Sequence, residues 1–208
     1  MSATLTPAIW AIVGLTALFL VLAVVLTARS ERITAHKITV IAMLSAVYVV
    51  LNQVGTLRFG WINISSAPLP IVIAALLYGP FAGLMVGLIG SFLGQLMTFG
   101  LMVTTVLWIA PPALRGLLLG LWAKRRGYRL SFVELCAALV LTSLAVTVLN
   151  TYFIYLDSII FGYYTEVLMA GKFAIRILNS VVTSIALLLV APPVVTLLRN
   201  TLHETQEK

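Results

Sequence analysis

Long apolar runs constrain the fold of this chain more than any other feature. Several runs in the 208-residue sequence approach or exceed the roughly 20 apolar residues that cross a hydrocarbon core about 30 Å thick. Only 9% of the residues are charged, against about 25% in soluble domains. Because backbone groups in lipid must bond internally, the runs predict an all-α integral membrane protein. The predicted spans are 7–28, 36–54, 67–79, 81–99, 103–123, 132–155 and 173–198.

The first run is predicted to stay in the mature protein as a membrane anchor. It has no charged residue before it, and Arg29 and Arg32 follow it, which is the reverse of a signal peptide with its basic start. We therefore expect an extra N-terminal transmembrane helix followed by a six-helix bundle. The predicted divisions are the helix at 1–30, the membrane domain at 31–199 and a cytoplasmic tail at 200–208.

Basic residues predict the orientation, because short cytoplasmic loops are enriched in Lys and Arg. If every span crosses, three basic groups share one side, which places the N-terminus outside and the C-terminus in the cytoplasm. The loops 55–66, 99–103 and 156–172 then face outward. These anchors account for most of the net charge of +7, so we expect no nucleic-acid partner. The basic groups are Arg29, Arg32 and Lys37; Lys124, Arg125, Arg126 and Arg129; and Arg199.

Small residues indicate where helices pack closely. Ala42 and Ala46 lie four residues apart, hence on one helix face, and this spacing lets a second helix approach in lipid. Their partner is either within the chain or outside it. Gly79 and Pro80 predict a tight turn between the third and fourth spans. Glycines at 83, 87, 90 and 94, and at 116 and 120, are interpreted as internal packing positions.

The order of these features resembles a known family. The segments that carry the likeness are Ile62-Asn63-Ile64-Ser65-Ser66-Ala67-Pro68-Leu69-Pro70 and Leu77-Tyr78-Gly79-Pro80-Phe81-Ala82-Gly83-Leu84-Met85-Val86-Gly87, together with Ala42 and Ala46. Over about 36–199 the chain resembles the substrate-binding S components of energy-coupling factor (ECF) vitamin transporters. The resemblance implies a vitamin site near the external face, no ATPase in this chain and a bacterial plasma-membrane location. It also implies that Ala42 and Ala46 dock onto a transmembrane coupling protein carried by two ATPase subunits.

Arg115 is the sharpest candidate for a ligand contact. It lies inside the fifth span after Pro111 and Pro112, which lack backbone donors. A guanidinium at this depth either binds an anion, forms a structural ion pair or extends toward the cytoplasmic surface. The sequence leaves these alternatives open.

Other polar residues fall near the predicted external mouth. Arg58, Trp61 and Asn63 lie in the first external loop, where a lid over the site competes with plain interfacial anchoring. Gln95 and Trp108 flank the second external turn and suit a pocket with few polar groups.

Asn150, Arg176 and Asn179 complete the predicted substrate-binding set, because all three interrupt hydrophobic helices. Arg176 and Asn179 share a face of the last span. Bonding within the helices is the alternative explanation.

The residues offer little for catalysis. The histidines are His36 and His203, both on the predicted cytoplasmic side, and Cys136 is the single cysteine. No metal-ligand spacing or phosphate-binding loop is present, so we expect no catalytic residue, metal or cofactor.

The primary hypothesis is the vitamin-binding subunit of an ATP-driven importer, with folate as first choice because arginines and aromatic rings suit an anionic, flat ligand. The alternatives are a self-sufficient secondary carrier or channel, or a noncatalytic membrane scaffold.

Overall fold

A computed structural model describes residues 5–59, 62–128, 130–162 and 164–206. In these ranges the chain forms helices and one short strand pair, and six of the helices are long and apolar enough to cross a membrane. The remaining helix, α3, has only 11 residues. The elements are α1 (Leu5–Ser30), α2 (Ala35–Val54), β1 (Thr56–Phe59), β2 (Ile62–Ser65), α3 (Pro68–Tyr78), α4 (Pro80–Phe99), α5 (Thr105–Arg125), α6 (Phe132–Ile160) and α7 (Glu166–Gln206).

Three features differ from the sequence-based expectation. The segment after α2, expected to be a loop, contains the antiparallel strands β1 and β2, whose residues alternate in character as strands do. The expected loop 156–172 is mostly helical, since α6 continues to Ile160 and α7 begins at Glu166. An acidic residue in the first turn favours that earlier start through the helix dipole. At its other end α7 continues to Gln206, into the segment expected to be a tail.

The two ends of the bundle have different character. One end, called here the basic end, carries the connections 31–34, 79 and 126–131. The other, called the hairpin end, carries β1, β2 and the connections 100–104 and 161–165. A hydrogen bond from Gln53 Nε2 to Thr98 Oγ1 (2.9 Å) joins α2 to α4 near the hairpin end.

Close contact between α4 and α5 organises the centre of the fold. A Cβ atom on Gly87 would lie 2.6 Å from the Pro112 carbonyl oxygen, and one on Gly120 would lie 2.3 Å from Pro80 Cα. The later glycines of α4 face α2 instead: Gly90 contacts the Tyr48 ring and Gly94 contacts the Asn52 amide. The glycine run therefore packs α4 against two neighbours at once.

Helix α1 packs on the side of the bundle formed by α4 and α5. Leu20 and Ala23 are buried in a cluster with Leu84 and Leu107. At the basic end, Glu31 forms an ion pair with Lys37 and accepts a hydrogen bond from the Phe81 amide (3.4 Å). The carboxylate thus ties the α1–α2 connection to the first turn of α4.

Burial and the nearby Glu31 carboxylate raise the pKa of the Tyr128 hydroxyl at the same end.

Candidate functional site

A central cavity lies between helices α2 to α7 and consists of two adjoining lobes. The first lobe, about 300 Å³, is bordered mainly by α2, α4 and α5. The second, about 600 Å³, extends between α6 and α7 and reaches Ser65 of β2. Residues shared by both lobes are Pro68, Trp108, Arg115, Val146 and Asn150. The volumes fall in the range of small-molecule sites, about 300–1,000 Å³.

Arg115 lies where the two lobes meet. Its Nη1 atom is buried and has no hydrogen-bond partner among the described residues. No Asp or Glu lines either lobe in the part of the chain that the structure describes. Among the described residues, Nη1 therefore neither forms a structural ion pair nor extends to the cytoplasmic surface, which were two of the open alternatives. A buried guanidinium without a partner lowers the stability of the folded protein unless an anion binds to it.

Pro111 and Pro112 line the first lobe one turn before Arg115. A proline has no amide hydrogen, so these two cannot bond to the carbonyls four residues earlier, those of Leu107 and Trp108. These two carbonyls of α5 therefore lack their usual helical donor, and one of them belongs to Trp108, which lines both lobes. The helix contributes a cation from one turn and spare acceptors from the preceding one.

Polar side chains from three further helices also line the central cavity. Gln95 of α4 and Asn150 of α6 border the first lobe, and Arg176 and Asn179 of α7 border the second. The Ser180 hydroxyl donates to the Ser143 carbonyl (3.3 Å), which fixes α7 against α6 at this level. The cavity therefore has two guanidinium groups and several neutral polar groups around an indole ring.

The structure brings six of the nine predicted substrate-binding residues to this cavity. They are Gln95, Trp108, Arg115, Asn150, Arg176 and Asn179. Arg58 and Asn63 are paired across the strands β1 and β2, but their side chains lie outside the described part. Trp61 lies outside the described residues altogether. Ligand binding by any of these residues stays a prediction.

Three polar residues of the first lobe were missed by sequence reasoning: Tyr48, Asn52 and Ser91. Tyr48 and Asn52 are four residues apart on α2, and Ser91 precedes Gln95 by the same spacing on α4. Polar residues at this spacing on apolar helices share a face, and this signal was available in the sequence.

A smaller pocket of about 280 Å³ lies between the central cavity and the hairpin end. Gln95 and Trp108 border both spaces, and the remaining walls are largely apolar. These two side chains therefore stand at the boundary between the arginine-lined interior and the hairpin end. Among the described residues, no three His, Cys, Asp or Glu side chains come together as metal ligands.

Ala42 and Ala46 are exposed on α2. Around them Met43, Val47 and Val50 are exposed as well, which makes the outer face of this helix a continuous apolar stripe. Helix α1 leaves the stripe open because it packs on the α4 and α5 side.

Comparisons with known proteins agree with this architecture. A family model described as "ECF transporter, substrate-specific component" matches residues 36–197 and leaves α1 outside. The solved structure of the S component of a bacterial ECF transporter superposes with a TM-score of 0.55 at 20% identity, covering 83% of this chain and 98% of that one.

Relatives of known sequence match about half of the chain. Two UPF0397 proteins, from Clostridium perfringens strains ATCC 13124 and SM101, are each 32% identical over 98 residues. The matched region is 46% of this chain and spans about half of the relatives' length (52%). On the strength of the family model, this multi-pass membrane protein belongs to the family of substrate-specific components of ECF transporters.

Proposed function

We propose that this chain captures a small anionic vitamin at the hairpin end and delivers it to an ATP-driven ECF importer. The observation that carries the proposal is the buried Arg115 Nη1, which lines the central cavity without a partner among the described residues. A ligand carboxylate or phosphate would supply the missing acceptor. Hydrogen bonds to charged groups contribute about 1.5–3 kcal/mol each, so the pairing would favour an acid over a neutral analogue.

The residues that line the cavity favour an acidic vitamin with a flat ring. Arg115 and Arg176 contribute positive charge without a carboxylate among the described lining residues. Trp108 offers an aromatic face on which a flat ring can stack. The side-chain amide oxygens of Gln95 and Asn150 can accept hydrogen bonds from N–H groups of such a ring. Folate combines acidic groups with a flat, nitrogen-rich ring and is our first choice.

The proposed orientation follows the positive-inside rule, with the basic end in the cytoplasm and the hairpin end outside. The N-terminus is then external, the C-terminus is cytoplasmic, and α1 is an extra helix outside the six-helix core. Arg58, Trp61 and Asn63 would belong to a lid on the external side. The membrane in question is the bacterial plasma membrane.

The partners we propose are a transmembrane coupling protein and two ATPase subunits. The exposure of Ala42 and Ala46 supports docking at this stripe, because small side chains allow the close backbone approach that helix pairs in lipid require. Helix α1 would not obstruct such a partner, since it packs against α4 and α5.

A ligand screen tests the proposal. Purified protein is offered folate, pantothenate, cobalamin, riboflavin and thiamine-related compounds, and binding is followed by thermal shift and native mass spectrometry. A ligand at 100 times its Kd stabilises the folded state by about 2.7 kcal/mol. We expect one acidic compound to bind, and the variant Arg115→Gln to lose it while Arg29→Gln, which alters an exposed arginine on α1, retains it.

Two results would contradict this assignment. A sole hit that carries no negative charge would remove the role given to Arg115. Undiminished binding of an acid by Arg115→Gln would do the same. Absence of any hit would favour the scaffold function.

A further inference from the structure

The structure contains a second candidate site at the basic end, on the outer surface of the bundle between α5 and α6. This groove, called here the α5–α6 groove, has a volume of about 670 Å³. Leu118, Leu121, Trp122 and Arg125 follow one another at spacings of three, one and three residues, so they form one face of α5. Leu141 and Thr142 of α6 form the opposite wall. The groove is separate from the central cavity, with which it shares no lining residue.

The chemistry of the groove changes along its length. From Leu118 to Arg125 is seven residues, or about 10 Å at 1.5 Å per helical residue. The inner part is apolar, and Leu121 and Leu141 are partly exposed there. The outer part, at the basic end, is lined by Arg125 and Arg126. An apolar channel capped by two guanidinium groups matches a molecule with an acyl chain and an anionic head.

The two arginines differ in how they are engaged. Arg126 Nε lies 3.2 Å from Glu134 Oε1, and both side chains are partly exposed. Arg125 is exposed and forms no ion pair with another described residue. A planar guanidinium recognises phosphate oxygens through paired hydrogen bonds, so Arg125 is free to take a phosphate while Arg126 is held in place beside it.

We propose that the α5–α6 groove binds an anionic phospholipid, with its phosphate on Arg125 and Arg126 and an acyl chain along Leu118, Leu121 and Leu141. Charge complementarity selects this occupant, since basic pockets between transmembrane helices bind anionic head groups. Arginines at helix ends commonly reach toward the interface without binding any particular lipid. Arg125 and Arg126 differ from such arginines because an apolar groove that can hold an acyl chain adjoins them. The proposal is independent of the vitamin site and of the orientation of the chain.

Native mass spectrometry with defined lipids tests this site. Wild-type protein in detergent is given phosphatidylglycerol and phosphatidylcholine with identical acyl chains at equal concentration. We expect it to retain one phosphatidylglycerol in preference to phosphatidylcholine. Arg125→Gln should reduce that preference about fivefold, and the double variant Arg125→Gln/Arg126→Gln should reduce it further. Arg29→Gln/Arg32→Gln is the matched control, because it removes the same charge from exposed positions outside the groove.

A variant without a charge change guards against misfolding as the cause of any loss. Leu141→Trp fills the groove at a half-exposed position and keeps both arginines, so it should expel the lipid from folded protein that elutes normally in gel filtration. Lack of a phosphatidylglycerol preference in the wild type would overturn the proposal. So would an equal loss in the matched control, since the effect would then be one of total charge.

Discussion

Gly116 of α5 lies directly against the backbone of Gly83 of α4, so closely that a Cβ atom on Gly116 would come within 2.1 Å of the Gly83 carbonyl oxygen. Backbone atoms cannot move aside as a flexible side chain can. The crossing of these two helices therefore depends on the absence of both side chains.

Gly116→Ala should consequently destabilise the protein. Overpacking a tight contact typically costs about 1–3 kcal/mol, and we expect the upper part of that range because the clash is with backbone. Thermal unfolding in detergent measures the effect. The matched control is Gly14→Ala in α1, where nothing lies within 4 Å of the added atom. Equal melting temperatures for the two variants would contradict the close crossing.

Arg115→Met should affect stability and ligand binding in opposite directions. Without ligand, the variant removes a buried nitrogen that has no partner among the described residues, so the melting temperature should rise. Affinity for an acidic ligand should fall at least about tenfold, because a charged hydrogen bond is lost. Calorimetry and thermal unfolding on one preparation give both values. A lower melting temperature in the ligand-free state would mean that Arg115 supports the fold.

Arg176→Gln and Asn179→Ala should each weaken ligand binding, since both residues line the second lobe. We expect a several-fold loss for each, measured by titration calorimetry with whichever vitamin the screen identifies. Leu178→Ala is the control on the same helix, because Leu178 is exposed and outside the cavity lining. Unchanged affinity in the first two variants would remove α7 from the site.

Ala42→Trp and Ala46→Trp should stop transport but leave ligand affinity intact. Each adds a large side chain to an exposed stripe that we assign to the coupling protein, and neither residue lines the central cavity. Uptake of labelled vitamin into cells that express the complete transporter reports the first effect, and binding to purified protein reports the second. Val148→Trp, an exposed change on α6, serves as the comparison. Loss of affinity without loss of docking would reverse the assignment.

Glu31→Gln should loosen the basic end, because the carboxylate pairs with Lys37 and accepts from the Phe81 amide. The side chains of both partners in the ion pair are largely buried, with 8% exposure for Glu31 and 12% for Lys37. A double-mutant cycle with Lys37→Met, read by thermal unfolding, isolates the pair. We expect a coupling free energy of about 1 kcal/mol. A value near zero would show that the pair contributes nothing beyond its separate contacts.

Sequence patterns predicted the helices well where one apolar run matches one helix. The glycine run of α4 was correctly interpreted as internal packing. Which of its glycines contact α5 and which contact α2 depends on the arrangement of the helices, and residue spacing does not show this. The strands β1 and β2 were missed because two strands of four residues each carry too little periodicity beside strong helical signals.

The candidate site shows the same limit. Arg115 and Trp108 were predictable because a charge and an indole stand out in an apolar helix. Tyr48 was missed because a tyrosine in a transmembrane helix ordinarily indicates an interface, although its four-residue spacing from Asn52 was visible in the sequence. Ser91 was equally inconspicuous, and its hydroxyl does bond to the Gly87 carbonyl of its own helix while still lining the first lobe.

The brevity of α3 has a consequence for how far a solute must travel. Eleven helical residues rise about 16 Å, only about half the thickness of a hydrocarbon core. The rest of the distance to the hairpin end is covered by residues 66–67 and β2, which are non-helical backbone of the kind that membrane proteins place only against protein or water. The second lobe is lined by both Ser65 of β2 and Arg115, so a polar ligand that entered beside the strand pair would meet protein walls, not lipid, on its way to Arg115.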